Sequence, residues 1–171
     1  MIRSLFARLT GEPRRGQALF DLAVHEARRP HWFVEGGVPD TVNGRFAVLA
    51  TVAAFILVRL EREGAEGEQA SVALTERLVE TLDTEIREMG AGDPTLGKQV
   101  RKLVGAVSGR VDRWRELIDS GNAWNEEVLR SLYLDEPTGT DALAHSERAL
   151  RRLWRQLDPA IIAHLAEGRT E

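Results

Sequence analysis

Residues 46–58, FAVLATVAAFILV, run for 13 positions without a charge. A bilayer span needs about 20 apolar residues, so this run is too short to cross a membrane. It is too apolar to lie on a surface. At helical spacing Phe46, Leu49, Ala53, Ile56, Leu57 and Leu60 share one face, while Val48, Val52 and Phe55 take the other. A helix that is apolar most of the way round is a central one, and the rest of the chain must wrap it. The start signals sit just upstream, where Pro39 fixes its own φ and Asp40, Thr41 or Asn43 can cap the helix. It is expected to run to about Glu63 and stop at Gly64.

The wrapping elements read as further helices, and no convincing alternating strand is found. Leu19, Phe20, Ala23, Val24 and Ala27 give a helix from about Gln17 to Arg29, stopped by Pro30. Gly64–Gln69 reads as a short acidic loop. Leu74, Leu78, Leu82, Ile86 and Met89 mark a helix from Ser71 that ends at Gly90. Asp93 or Thr95 caps the next, with Val100, Leu103, Val104, Val107, Val111, Trp114 and Ile118 in line. A shorter helix from Asn122 turns Trp124, Val128 and Leu132 inward. After the 135–141 loop, a helix covers Ala142–Leu157, and Asp158-Pro159 opens a last short one. The expected fold is all-α, one domain of six to seven helices, with an amphipathic extension over 1–16 and the helical body over 17–168.

Composition narrows the chemistry. With 171 residues, 43% apolar and 29% charged, the chain has the makings of an ordinary globular core. Its net charge of −4 argues against a polyanion-binding surface overall. It has no cysteine, which removes disulfides, thiolate metal sites and cysteine nucleophiles. His25, His31, His145 and His164 form no HExxH or related metal pattern, and each reads as a surface or rim residue. Gly90-Ala91-Gly92-Asp93 lacks the GxxxxGK[ST] of a phosphate loop and follows a helix, so it reads as a helix stop and turn. No metal, cofactor or catalytic residue is assigned, and the chain is expected not to be an enzyme.

Charge is segregated along the chain. Glu61–Glu88 holds nine acidic residues against Arg62, Arg77 and Arg87. Over 96–115, Lys98, Arg101, Lys102, Arg110, Arg113 and Arg115 face only Asp112. Two helices neutralising each other's rims explain this, and so does a basic face for an acidic partner, RNA or lipid headgroups. Trp114 lies on the apolar line, so the basic helix offers no aromatic for base stacking and specific RNA reading is poorly supported; specific DNA binding is not expected either. The first 15 residues interrupt their apolar pattern with Arg3 and Arg8, unlike a secretory signal. Their net charge is +3, which suits either a peripheral membrane contact or docking on the core.

The segment 31–46, HWFVEGGVPDTVNGRF, is more particular than a helix connection requires. Its residues 38–46, VPDTVNGRF, resemble the GVPDTxxGRF signature of the ubiquinol–cytochrome c chaperone family. Residues 87–93, REMGAGD, are similar to that family's LREMGVGD. Lys98–Lys102 leading to Gly109-Arg110 is similar to its basic run and YGR ending. The three blocks stand in the family's order and spacing across roughly residues 17–135. The chain departs from the pattern at Val107-Ser108, where an aromatic pair is common, and at Ala91, where valine is usual.

The resemblance implies an assembly chaperone for respiratory complex III that binds newly made cytochrome b or a related membrane client. Its alternatives are a ribosome-contacting adaptor using the basic helix 96–115, or a paralogue with another protein client. The implied location is cytoplasmic, at the inner face of the membrane. The partner-binding candidates are Trp32, Phe33, Val38, Pro39, Asp40, Thr41, Gly44, Arg45, Arg87, Glu88, Gly90, Gly92, Asp93, Lys98, Arg101, Lys102 and Arg110. The residues leave the connection's role open. It either presents Trp32 and Phe33 to a partner or buries them while Pro39, Asp40 and Gly44 set the start of the next helix.

Overall fold

A computed structural model describes residues 16–88 and 93–157, with the backbone alone over 82–88, 93–100 and 102–103. The fold is all-α, with no strand among the described residues. The helices are α1 (Gln17–Ala27), α2 (Val42–Leu60), α3 (Gly64–Glu88), α4 (Asp93–Ser120), α5 (Asn125–Tyr133) and α6 (Thr140–Gln156). Single 3-10 turns at Pro30–Trp32 and Glu61–Glu63 flank α2 on either side. The amphipathic extension and the final short helix expected after Asp158 lie outside the described residues.

The uncharged run lies at the centre. α1, α3, α4 and α5 all pack on α2, and α6 packs on α5. Ala47, Val48 and every residue from Ala50 to Val58 are buried. A stretch within Val42–Thr81 is apolar enough to cross a membrane by length and composition, with mean hydropathy 1.6, yet 67% of it is buried inside the fold. Its apolar surface is therefore already covered by protein. Phe55 is the hub, with ring centroids 4.8 Å from Trp114, 5.8 Å from Trp124 and 6.1 Å from Trp154. Such tilted and edge-on arrangements suit aromatic quadrupoles, and they tie α2, α4, α6 and the α4–α5 connection to one point.

One boundary differs from expectation. Gly64–Gln69 is not a loop, because α3 begins at Gly64 itself. The acidic composition there suits a helix N-terminus, where backbone N–H groups favour negative charge. The chain turns at Gly64, whose φ of +65° favours glycine, and Gly67 then lies against the end of α2. A Cβ at this position would sit 1.9 Å from the Leu60 carbonyl oxygen. That close approach seats the start of α3 against α2.

Candidate functional site

The connection 28–46 is held by hydrogen bonds from three directions. Trp32 is fully buried, and its Nε1 donates to the Glu26 carbonyl at 3.0 Å. Gly36 N donates to His31 O at 2.8 Å, and Val38 N to Trp32 O at 3.0 Å. From α5, the buried Tyr133 hydroxyl donates to Gly36 O at 2.5 Å and lies 2.7 Å from Ser146 Oγ of α6. Burial raises the Tyr133 pKa above its ordinary value, opposed by the Ser146 hydrogen bond. The hydroxyl therefore stays protonated and keeps donating.

The start of α2 is set by the residues the sequence singled out. Thr41 is the N-cap, accepting from Gly44 N at 3.2 Å through Oγ1. Gly44 is buried beneath Pro39, whose carbonyl oxygen would lie 1.9 Å from any Cβ added there. Arg45 binds Asp40 in a fork, Nε to Oδ1 at 2.5 Å and Nη2 to Oδ2 at 3.2 Å. The Arg45 hydrogen bond holds the Asp40 carboxyl below its usual range. The same guanidinium stands over the half-buried Phe33 ring at 5.9 Å. Trp32, Val38 and Gly44 are thus inside, while Pro39, Asp40, Thr41 and Arg45 face solvent beside the exposed Val34 and Val42.

Two of the rim histidines make a contact that local sequence does not announce, while His164 lies outside the described residues. His31 Nδ1 lies 3.2 Å from His145 Nε2, and His31 Nε2 lies 3.6 Å from Glu26 Oε1. Two of the four are therefore paired in a half-buried cluster joining α1, the 3-10 turn and α6. Burial lowers the His31 pKa, His145 and Arg29 lower it further, and Glu26 opposes them. Their separation of 114 positions hides the pair from any local pattern. No metal-holding group of three His, Cys, Asp or Glu occurs among the described residues.

The basic face is partly internal. Arg110 is buried, donating from Nη1 to Ala106 O at 3.0 Å and from Nη2 to Ser131 O at 2.8 Å. Burial lowers its pKa first, with Arg113 adding to the effect. Arg113 Nε donates at 2.8 Å to Glu127, a buried carboxylate that also accepts from Ser131 Oγ at 2.5 Å. Trp114 Nε1 donates to the same Ser131 Oγ at 3.2 Å. This network fastens α5 to α4. Arg115 turns the other way, donating to Glu61 at 2.6 and 2.7 Å and to Asp112 at 2.8 Å. Arg62 likewise reaches Asp119 at 2.5 Å. The Glu61–Arg115 pair neutralises the acidic rim against the basic one, whereas Arg62–Asp119 joins the acidic stretch to α4 with the signs reversed. Arg101 is exposed on α4. Gly90 and Gly92 lie outside the described residues, as do the side chains of Arg87, Glu88, Asp93, Lys98 and Lys102.

A feature that no single helix announces lies between α3 and α4. An open apolar groove of about 720 Å³ runs there, floored by Leu57, Leu78, Val107 and Val111. Val72 and Val104 stand on its edges with 55% and 38% of their surface exposed. The groove takes one wall from each helix, so only their mutual packing discloses it.

The ubiquinol–cytochrome C chaperone family model matches residues 34–170, which take in the later part of the connection, the groove and the α4–α5 network. No curated protein matches the chain. The crystal structure of the Cbp3 homolog from Brucella abortus is similar in fold, with a TM-score of 0.72 over 95% of this chain and 93% of that one. Sequence identity to it is 24%, so that likeness speaks for architecture. With most of its length matched by one family model, the chain belongs to the ubiquinol–cytochrome c chaperone family.

Proposed function

We propose that the protein is a non-enzymatic assembly chaperone for ubiquinol–cytochrome c reductase, respiratory complex III, and that it holds newly made cytochrome b or a related membrane client. Family membership carries this reading. The use of buried polar groups supports a holding role. Tyr133, Arg110, Glu127 and Ser131 join helices to one another instead of converging on a cavity. Partner contact is assigned to the exposed members of the sequence set, Pro39, Asp40, Thr41, Arg45 and Arg101. Such a protein acts at the inner face of the cytoplasmic membrane, where its client is inserted.

A clean deletion tests the reading. Cytochrome b content and complex III activity of membranes should fall together, with the transcripts unchanged. Unaltered cytochrome b and complex III in the deletion strain would refute it.

A further inference from the structure

We infer that the groove between α3 and α4 cradles one apolar α-helix of the client, held with a Lys- or Arg-bearing end against the acidic rim. The inference rests on the chaperone reading and names the part of the client that is held.

The first argument is length. The α3 wall runs from Gly64 to Val79. At 1.5 Å per residue that is about 23 Å, against about 30 Å of hydrocarbon for a spanning helix. The facing α4 wall, from Val104 to Arg115, is about 17 Å long, so the two walls together embrace about three turns of a membrane helix lying along the trough. The second is surface. Val72 and Val104 flank a floor of Leu78, Val107 and Val111, while Ser71, Thr75 and Ser108 are small enough to admit a helix backbone.

The third argument is charge. The rim holds Glu61, Glu68 and Asp112 against Arg115. Arg115 is taken up by Glu61 and Asp112, which leaves Glu68 as the carboxylate open to an incoming cation. Membrane helices carry Lys and Arg at their cytoplasmic ends. A chaperone on that side meets the basic end of its client, and the rim has the complementary sign.

The test uses the full-length protein and a labelled synthetic helix of 20 Leu and Ala residues ending in three lysines. A second peptide replaces the lysines by glutamates. Fluorescence anisotropy should show the Lys-ended peptide binding more tightly than the Glu-ended one. V72E or V104E should weaken it at least tenfold with an unchanged melting temperature, and E68K should cut the preference for the Lys end at least threefold. Equal binding by wild type and both valine variants overturns the proposal, as does an end preference untouched by E68K. Affinity gained only when Phe6→Asp is introduced would give the groove to residues 1–15. A dimer lost in V72E without any peptide effect would give it to a second copy. Either result overturns the inference. A deletion strain with normal complex III alongside groove-dependent peptide binding would fail the chaperone reading and leave the cradle standing. Full rescue of a defective deletion by V72E would fail the cradle alone.

Discussion

Gly44 shows how little room the connection leaves. Thr41 caps α2 by bonding Gly44 N, and the Pro39 carbonyl lies where a Cβ at 44 would go. Gly44→Ala is therefore expected to destabilise the protein by about 2 kcal/mol through overpacking, read as a lower urea midpoint with an unchanged slope. At His31 the relevant variable is pH. Burial sets its folded pKa below the ordinary 6.5, and His145 and Arg29 push the same way while Glu26 resists. Above pH 6.5 the ring is mostly neutral whether the chain is folded or not. As pH falls past 6.5 the unfolded chain takes up the proton first, so stability declines until the folded ring also protonates. Thermal melts from pH 7.5 to 5 should show this loss, and His31→Gln should flatten it. A variant whose pH profile matches wild type would show that the His31–His145 contact carries no such linkage.

Among the elements, α2 was the most legible, because a 13-residue uncharged run admits few placements. The apolar spacing of α1, α4 and α6 also located them, since one-sided periodicity survives tertiary packing. The start of α3 departs from the expected loop because glycines at 64 and 67 resemble a turn in sequence, whereas the close approach of Gly67 to the end of α2 is a tertiary fact. The site was legible unevenly for the same reason. Residues 38–46 act on their own neighbours, so their roles as cap, turn and ion pair follow from local chemistry. Arg110 looked like surface charge because its partner, the Ser131 carbonyl, lies 21 positions away on α5. That α4–α5 joint is testable. Glu127 is buried and accepts from both Arg113 and Ser131. Glu127→Gln keeps its volume but replaces one acceptor with a donor and removes the charge, which should cost about 1–3 kcal/mol. Glu127→Ala strips the buried Ser131 hydroxyl of its acceptor, while Arg113, 36% exposed, can turn to solvent, so it should also cost about 1–3 kcal/mol. Equal denaturation midpoints for wild type and Glu127→Gln would show that α5 is held by apolar packing alone.

Across the whole molecule, the stabilising core and the open α3–α4 edges occupy different layers. The centre is apolar and closed around Phe55 and its three tryptophans, while polar joints fasten the connection and α5. The α3–α4 groove is floored by core residues Leu57, Leu78, Val107 and Val111, with Val72 and Val104 standing at its edges outside the core. A body arranged this way can change its outer surface without unfolding. Paired substitution Val72→Glu and Val104→Glu should therefore shift unfolding free energy by no more than about 0.5 kcal/mol per site, as for surface positions generally. The urea slope should be unchanged as well, because it follows the area exposed on unfolding. The comparison that gives this meaning is Leu78→Ala on the groove floor. Leu78 is only 4% exposed, and its loss should cost about 2–5 kcal/mol by the ordinary large-to-small penalty. If the two edge valines proved as costly as Leu78, they would be clamping α3 to α4, and the groove would be a seam of the core instead of a surface kept open for a partner.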